Sequence, residues 1–184
     1  MALKIPVLLG TAREGAFSDK AAAYMHQLLM LRGVESTLVD PEDYHEKKTI
    51  EKEQVQPWST IMKEADGLVI VTPEYNHGYP GPLKEMIDTL YEEFARKPVA
   101  VCGVSSGGLG GARVVEQVKL VMIDLHMCPI RESVYFSNCR DLFNEDGSIK
   151  DPAYDERCAT MFEELFWFAN VLKAGREGRV DVGL

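Results

Sequence analysis

Long hydrophobic runs are missing from this 184-residue sequence. No apolar stretch reaches the roughly 18 residues that a membrane-spanning helix needs, so no membrane partner is expected. The apolar residues 1–10 have no basic start and no small-residue cleavage site, which does not fit a signal peptide. They predict a buried first strand instead, and a cytoplasmic protein.

Cysteine is scarce, and no two cysteines form a C-x-x-C pair. The closest potential metal ligands, His126 and Cys128, have no obvious further ligands nearby in the sequence, so no metal site is expected. This pattern favours reduced, buried thiols over a disulfide framework. The four positions are Cys102, Cys128, Cys139 and Cys158.

Basic residues are outnumbered. The chain has 20 Lys and Arg against 29 Asp and Glu, which gives a formal net charge of −9. Because phosphate backbones select basic surfaces, this balance argues against a nucleic-acid partner. It disfavours docking to an anionic membrane for the same reason.

Two common nucleotide-binding motifs are also absent. Gly10 and Gly15 have the spacing of a triphosphate-binding P-loop, but Ala16 and Phe17 stand where Lys and Ser or Thr are required. The glycine pattern of a classical dinucleotide-binding turn, G-x-G-x-x-G, does not occur at this position. Triphosphate chemistry and a classical Rossmann site are therefore not supported.

Alternating apolar strands and amphipathic helices are present along most of the chain. They predict a doubly wound, three-layer α/β sandwich with a five-stranded parallel sheet of order 2-1-3-4-5. We expect one domain over residues 1–175, a polar tail over 176–184, and a charged surface segment over 42–56 whose role stays open. The predicted strands cover 4–10, 34–39, 67–72, 98–104 and 127–136, and the predicted helices cover 18–32, 57–66, 82–94, 112–126 and 152–174.

The loop after the first strand has the composition of an anion site. Thr11 and Ser18 supply hydroxyl groups, and Arg13 supplies a guanidinium suited to phosphate. The start of a helix adds N–H groups and a favourable dipole. The alternative is a helix capped by Ser18 with an ordinary surface arginine.

The loop after the third strand, residues 72–81, contains two prolines and two glycines. Prolines stiffen such a segment, and glycines let the backbone approach a ligand closely. Tyr75, His77 and Tyr79 offer planar groups for a planar ligand. The alternative is a rigid turn that packs its tyrosines.

The loop after the fourth strand matches G-x-S-x-G at residues 103–107, the nucleophile elbow of serine hydrolases. The only histidine downstream is His126, with Asp124 two residues before it in the same predicted helix. An acid and a histidine so close in one helix do not readily form a Ser–His–Asp chain. Small residues that admit a flat cofactor are the preferred interpretation, and a serine hydrolase is the alternative.

Three of these segments together carry a specific resemblance. Residues 73–76 (Pro-Glu-Tyr-Asn) followed by 80–84 (Pro-Gly-Pro-Leu-Lys), the phosphate loop at 10–18 and the glycine-rich segment 103–111 are similar to the NADPH-dependent FMN reductase family. That family includes flavin, quinone, azo-dye and chromate reductases. The resemblance implies a flavodoxin-like fold, bound FMN, NADPH or NADH as electron donor, a small-molecule acceptor, ping-pong kinetics and a homodimer or homotetramer. A non-catalytic flavodoxin-like electron carrier is a further alternative.

The resemblance also implies residue roles. No obligatory catalytic side chain is expected, since the flavin carries the chemistry. Three residues would hold the FMN phosphate, four would edge the isoalloxazine ring largely through backbone groups, and three would line the ribityl and ring side. In that order these are Thr11, Arg13 and Ser18; Pro73, Glu74, Tyr75 and Asn76; and Ser105, Ser106 and Gly107.

The sequence departs from the family pattern at several positions. The first loop is two residues longer between Arg13 and Ser18, and Lys20 stands where many relatives carry Asn. Residues 77–79 (His-Gly-Tyr) replace a commoner Gly-Ser-Ile type, and Glu85 replaces a frequent Asn. These changes bear on substrate choice more than on flavin binding.

Overall fold

A computed structural model describes residues 2–44 and 56–180. Residues 45–55 of the predicted surface segment 42–56 lie outside the described residues, and so do residues 181–184 of the predicted tail. Six strands are β1 (Val7–Leu9), β2 (Leu38–Val39), β3 (Leu68–Pro73), β4 (Pro98–Val104), β5 (Cys128–Pro129) and β6 (Tyr135–Phe136). The α-helices are α1 (Phe17–Leu31), α2 (Gln56–Glu64), α3 (Gly81–Asp88), α4 (Ala112–Asp124), α5 (Cys139–Leu142) and α6 (Ala153–Arg176), with 3₁₀ turns at Pro41–Tyr44 and Glu92–Phe94.

The strands form one parallel sheet in the order β2-β1-β3-β4-β5, which confirms the predicted flavodoxin-like order. β3 and β4 pair along their whole shared length, from Leu68 opposite Val99 to Pro73 opposite Val104. The chain leaves β1 toward β2 on one side and resumes at β3 on the other. Ligands of such sheets bind beside the carboxyl ends of the strands at this reversal point.

Alternate side chains of the central strands pack into two separate hydrophobic cores, one on each face of the sheet. Val69 and Val71 of β3 pack with α1 and α6, whereas Leu68 and Ile70 pack with α2, α3 and α4. Both faces of the sheet are therefore covered by helices, which is why the central strands consist almost entirely of buried apolar residues.

Several predicted elements are wrong in extent. The first strand, predicted over 4–10, covers Val7–Leu9, and the second, predicted over 34–39, is only Leu38–Val39. The predicted fifth strand, 127–136, is split into β5 and β6, which both pair with β4, at Pro98 and at Gly103 respectively. The polar residues 131–133 leave the ladder between them. The predicted helix 82–94 ends at Asp88, where the Thr89 hydroxyl donates to the Met86 carbonyl, 2.7 Å away, and competes with helix continuation.

The last helix extends slightly beyond its predicted end. Arg176, predicted as the first residue of the tail, is the last residue of α6, and its guanidinium donates to the Arg96 carbonyl at 2.6 Å. The single domain over 1–175 stays a prediction. Within the described residues, no helix combines the length and the apolar character needed to cross a bilayer.

A buried lysine closes the carboxyl end of α2. The ammonium of Lys97 donates to the carbonyls of Met62 and Lys63 and so satisfies helix-end acceptors. Burial lowers the pKa of Lys97 from its usual 10.5 to about 8, and the neighbouring positive charge of Arg176 acts in the same direction.

This lysine gives a pH-dependent contribution to stability. The unfolded chain holds the Lys97 proton up to about pH 10.5 and the folded chain only up to about pH 8. The unfolded state therefore binds more protons in that window, and the free energy of unfolding of the natural protein should rise with pH relative to Lys97→Met. Urea unfolding of both proteins at pH 7, 8, 9 and 10 measures this difference. A difference that is flat or falls with pH would contradict the account.

Candidate functional site

A cleft of about 330 Å³ lies at the carboxyl edge of the sheet, where three loops meet. One loop follows β1, one follows β3 and one follows β4, and the start of α5 completes the wall. The lining residues are Arg13, Glu14, Gly15, Ala16, Phe17, Ser18, Pro73, Glu74, Tyr75, Val104, Ser105, Ser106, Cys139 and Arg140.

The structure therefore brings together seven of the ten predicted site residues. They are Arg13, Ser18, Pro73, Glu74, Tyr75, Ser105 and Ser106. Among the described residues, Thr11, Asn76 and Gly107 belong to the same loops but are not part of the cleft wall. Larger cavities, of about 450 and 570 Å³, share Lys4 and Glu35 in their walls, and neither touches any of the ten.

The first two loops meet because β1 and β3 approach closely at their carboxyl ends. The N–H of Gly10 donates to the Val71 carbonyl at 2.8 Å. A Cβ placed on Gly10 would lie 2.5 Å from the Cβ of Thr72, so only glycine fits at this position. The hydroxyl of Thr11 then lies 3.4 Å from the Tyr75 hydroxyl and accepts the Arg13 N–H at 3.2 Å. Thr11 thus connects the two loops from behind the cleft.

Ser18 does not cap the helix, so the alternative interpretation of this loop is wrong on that point. The helix α1 begins at Phe17 with Ala16 as its N-cap residue, and no side chain caps it. Ser18 is only 1% exposed, and its hydroxyl oxygen has no hydrogen-bond partner within the described chain. A buried hydroxyl without a partner is costly, and this one lines the cleft at the positive end of a 15-residue helix.

Arg13 lies in the same loop and is exposed. No carboxylate of residues 2–44 or 56–180 lies within ion-pair distance of its guanidinium. Together with the unpartnered Ser18 hydroxyl, this free cation makes the first loop a suitable place for an anion such as a phosphate. These two observations indicate that the residues of the first loop suit the phosphate group of a phosphorylated cofactor.

The loop after β3 folds back as a two-residue hairpin. Tyr75 and Gly78 exchange backbone hydrogen bonds of 3.0 and 2.9 Å. Asn76 and His77 between them have positive φ angles, 50° and 68°, which is typical of the central residues of a type I′ turn. The N–H groups of Asn76 and His77 have no acceptor in the described part of the chain, so they are free to bind a ligand.

Two contacts fasten this hairpin to α4. The Glu74 carboxylate accepts the guanidinium of Arg113 and also the Arg113 backbone N–H, 3.2 Å away. The side-chain amide of Gln117 donates to the His77 carbonyl at 2.6 Å. The Glu74 N–H donates to the Val104 carbonyl at 3.0 Å. The carboxylate and the backbone N–H of Glu74 therefore both form hydrogen bonds within the protein, so Glu74 holds the cleft wall in place.

Replacing Arg113 with alanine tests this connection. The variant leaves the Glu74 carboxylate, 8% exposed, with only the backbone donor, so we expect a loss of about 1–3 kcal/mol in the free energy of unfolding. We also expect several-fold weaker FMN binding, because the hairpin is no longer held against α4. Urea unfolding and flavin titration measure the two effects. Arg131→Ala, at a side chain that is 88% exposed, is the control, and equal effects in both variants would refute the connection.

The glycine-rich loop after β4 presents backbone donors. The N–H of Ser105 donates to the Phe136 carbonyl, and the Ser105 hydroxyl donates to the Gly107 carbonyl, both at 3.1 Å. The following N–H groups, of residues 106–109, have no acceptor in the ranges that the structure covers, and these residues are exposed. The loop can therefore approach and donate to the edge of a flat ligand.

The same geometry excludes the serine hydrolase alternative. Ser105 follows the carboxyl end of β4, whereas the His126 carbonyl accepts the Arg96 N–H just before the amino end of that strand. The seven residues of β4 hold the two apart by about 20 Å. His126 instead contacts Tyr91, with its ring nitrogen 3.4 Å from the phenol oxygen. The only histidine downstream of the motif is therefore out of reach of Ser105.

Cys139 and Arg140 line the cleft although the sequence analysis assigned them no role. They belong to the short helix α5, in a stretch where the pattern predicts only loop. The N–H of Cys139 donates to the Ser105 carbonyl at 3.1 Å, which brings α5 against the glycine-rich loop. No motif in the sequence signals this contact.

Comparisons with known proteins agree with the geometry. The sequence is 26% identical over 190 residues to the NAD(P)H-dependent FMN reductase ntnL of Nectria sp, with 93% of this chain and 92% of that protein covered. It is 31% identical over 135 residues to the quinone reductase of Escherichia coli K12, with 67% of this chain and 71% of that protein covered.

A solved structure shares the fold. FerB of Paracoccus denitrificans, a flavoenzyme NAD(P)H:(acceptor) oxidoreductase, superposes with a TM-score of 0.79 over 92% of this chain and 98% of that one, at 22% identity. The sequence model of the family described as NADPH-dependent FMN reductase matches residues 3–141, a span that holds all three loops of the cleft. The chain belongs to the NADPH-dependent FMN reductase family.

Proposed function

We propose that this chain passes two electrons from NAD(P)H, through FMN held in the cleft, to a small acceptor. Membership of the family gives FMN as the cofactor and NAD(P)H as the electron donor. The acceptors that we propose are a quinone, free flavin, an azo compound or a metal oxyanion. The relative in Escherichia coli, named a quinone reductase, makes a quinone the first acceptor to test.

One observation carries the proposal. The Ser18 hydroxyl is buried and has no partner in the described chain, and Ser18 lines a cleft walled by all three loops that the family motifs occupy. A hydroxyl buried at such a cost is accounted for by a ligand that accepts its hydrogen bond. A phosphate monoester at the start of α1 supplies that acceptor.

The roles of the chain's residues follow from their positions. Arg13, Ser18 and the N–H groups at the start of α1 would hold the FMN phosphate, with Thr11 positioning Arg13 through its N–H. The free N–H groups of Asn76 and His77 would donate to the ring edge and favour extra negative charge there. Pro73, Glu74 and Tyr75 would form one part of the wall, and Ser105 and Ser106 another, with Gly107 in the same loop.

FMN, when bound, supplies the chemistry of accepting hydride from a nicotinamide and delivering two electrons to an acceptor. The protein would orient the substrates and exclude competing ones, and no side chain of the cleft is assigned as an obligatory acid or base. Because donor and acceptor must both reach the same ring, we propose that they bind in turn, in a ping-pong order. We further propose a homodimer or homotetramer that works in the cytoplasm.

Arg13→Ala is expected to weaken FMN binding about tenfold, because an exposed charge-assisted contact to phosphate is lost. Turnover of enzyme saturated with FMN should change much less, since Arg13 is assigned no contact with the reacting ring. Flavin titration and steady-state kinetics at saturating FMN separate the two. Slower turnover with unchanged FMN affinity would refute the phosphate assignment.

Steady-state oxidation of NADPH with a benzoquinone acceptor tests the function itself. We expect activity that depends on added or co-purified FMN, and parallel double-reciprocal lines when both substrates are varied. Protein that takes up no FMN, or that carries FMN but oxidises neither NADPH nor NADH with any acceptor class, would overturn the proposal.

A further inference from the structure

The cleft contains a second arginine that the predicted phosphate site does not include. Arg140, on α5, lines it together with Arg13, which lies on the first loop. The whole chain is acidic, with a net charge of −9, so two arginines in one cleft depart from the general balance. Neither guanidinium makes a hydrogen bond or an ion pair with any of residues 2–44 or 56–180.

Carboxylates of the cleft wall offset at most one of these two positive charges. Glu74 is already bound by Arg113, and its side chain is 8% exposed. Glu14 is the other acidic residue of the cleft wall, and it makes no ion pair within the described ranges. Lys20 adds a further positive charge close to α5, since its ammonium donates to the Asn144 carbonyl at 3.4 Å. The groups that remain free in the cleft are therefore cationic on balance.

Backbone contacts fix the element that carries Arg140. The N–H of Cys139 donates to the Ser105 carbonyl at 3.1 Å, and the N–H of Asn138 donates to the Gly107 carbonyl at 3.2 Å. Cys139 itself is 4% exposed, so α5 is held both by these hydrogen bonds and by its buried cysteine side chain. Arg140 thus starts from a fixed backbone position beside the glycine-rich loop, and ligand binding orders only its exposed side chain.

We propose that Arg140 binds a phosphate monoester in this cleft and determines which ligand enters it. A guanidinium with no internal partner matches a dianionic monoester through two parallel hydrogen bonds. The monoester has two sources among the ligands of the proposed function: the phosphate of FMN, and the 2′-phosphate that distinguishes NADPH from NADH. This inference rests on the proposed function, because FMN and NADPH are the ligands of that function.

Arg140→Gln tests the assignment, with Arg131→Gln as a control that removes one positive charge from an exposed side chain elsewhere. The dissociation constants for FMN and riboflavin are measured by flavin fluorescence, and kcat/KM is measured for NADPH and NADH. We expect Arg140→Gln to weaken the phosphorylated member of one pair by about tenfold to a hundredfold, and its unphosphorylated member little. Arg140→Lys, which keeps the charge without the fork, should recover part of the loss.

The outcomes separate the sources. A selective loss for FMN over riboflavin assigns Arg140 to the cofactor, and a selective loss for NADPH over NADH assigns it to the donor. Equal changes within both pairs, or changes matched by Arg131→Gln, overturn the inference about Arg140. In that case the proposed function still stands, provided that the natural protein binds FMN and oxidises NAD(P)H. Natural protein that fails to bind FMN overturns the proposed function itself.

Discussion

Replacing Ser18 with alanine is expected to stabilise the cofactor-free protein and to weaken its binding of FMN. The Ser18 hydroxyl is buried without a partner in the described chain, so its removal relieves a desolvation cost of about 1 kcal/mol. The same removal deletes the donor that we propose for the phosphate. A hydrogen bond to a charged group contributes about 1.5–3 kcal/mol, which corresponds to about 10- to 100-fold in affinity.

The two effects have opposite signs, which makes the experiment informative. Urea unfolding of apoprotein gives the first effect, and flavin titration gives the second. Ser133→Ala is a matched control, because the Ser133 hydroxyl is also buried without a partner in the described chain but lies outside the cleft wall. It should stabilise the protein and leave FMN affinity unchanged. If Ser18→Ala binds FMN as tightly as the natural protein, Ser18 does not contact the phosphate.

Gly103→Ala is expected to damage both the fold and the site. A Cβ at Gly103 would lie 2.5 Å from the Gly110 carbonyl oxygen and 2.7 Å from that of Gly111. These are backbone atoms that cannot move aside as a flexible side chain would, so the glycine-rich loop must shift away from β4. We expect a loss of about 3 kcal/mol in the free energy of unfolding, at the upper end of ordinary overpacking costs. The displaced loop should also bind FMN poorly.

Gly81→Ala provides the comparison. A Cβ at Gly81, the first residue of α3, meets no atom within 4 Å. Alanine favours a helix over glycine, so this variant should be as stable as the natural protein or slightly more so. Thermal unfolding of both variants, with and without FMN, measures the contrast. A Gly103→Ala protein with natural stability and natural FMN affinity would show that the close approach of β4 and its loop is not essential.

The sheet was predictable because its central strands are buried on both faces. The apolar run at 98–104 predicts a strand, and β4 has the same limits. The pattern is clear because every residue of β4 is buried. The fifth strand was not predictable at this level. The sequence predicts one strand over 127–136, but only two short parts pair with β4. The sequence pattern does not show where the polar residues 131–133 leave the sheet.

The candidate site was predictable where chemistry and spacing coincide in one loop. Arg13, Tyr75 and Ser106 lie on three separate loops, and the parallel strand order explains why these loops meet in the cleft. The local pattern alone did not assign Ser18, because a serine near a helix start looks the same whether it caps the helix or faces a ligand. Only the family resemblance placed it at the phosphate. Arg140 was missed because α5 is placed by tertiary contacts to the glycine-rich loop that leave no sequence motif.

The central claim is that the loops after β1, β3 and β4 together hold FMN by its phosphate and its ring. Amide NMR spectra of the apoprotein during titration with FMN test this claim most directly. The account predicts shifts that saturate at one FMN per chain and concentrate in residues 11–18, 73–78 and 105–109, with little change around Lys97 and His126 at the other end of the sheet. Shifts confined to other surfaces, or a spectrum that FMN leaves unchanged, would contradict it.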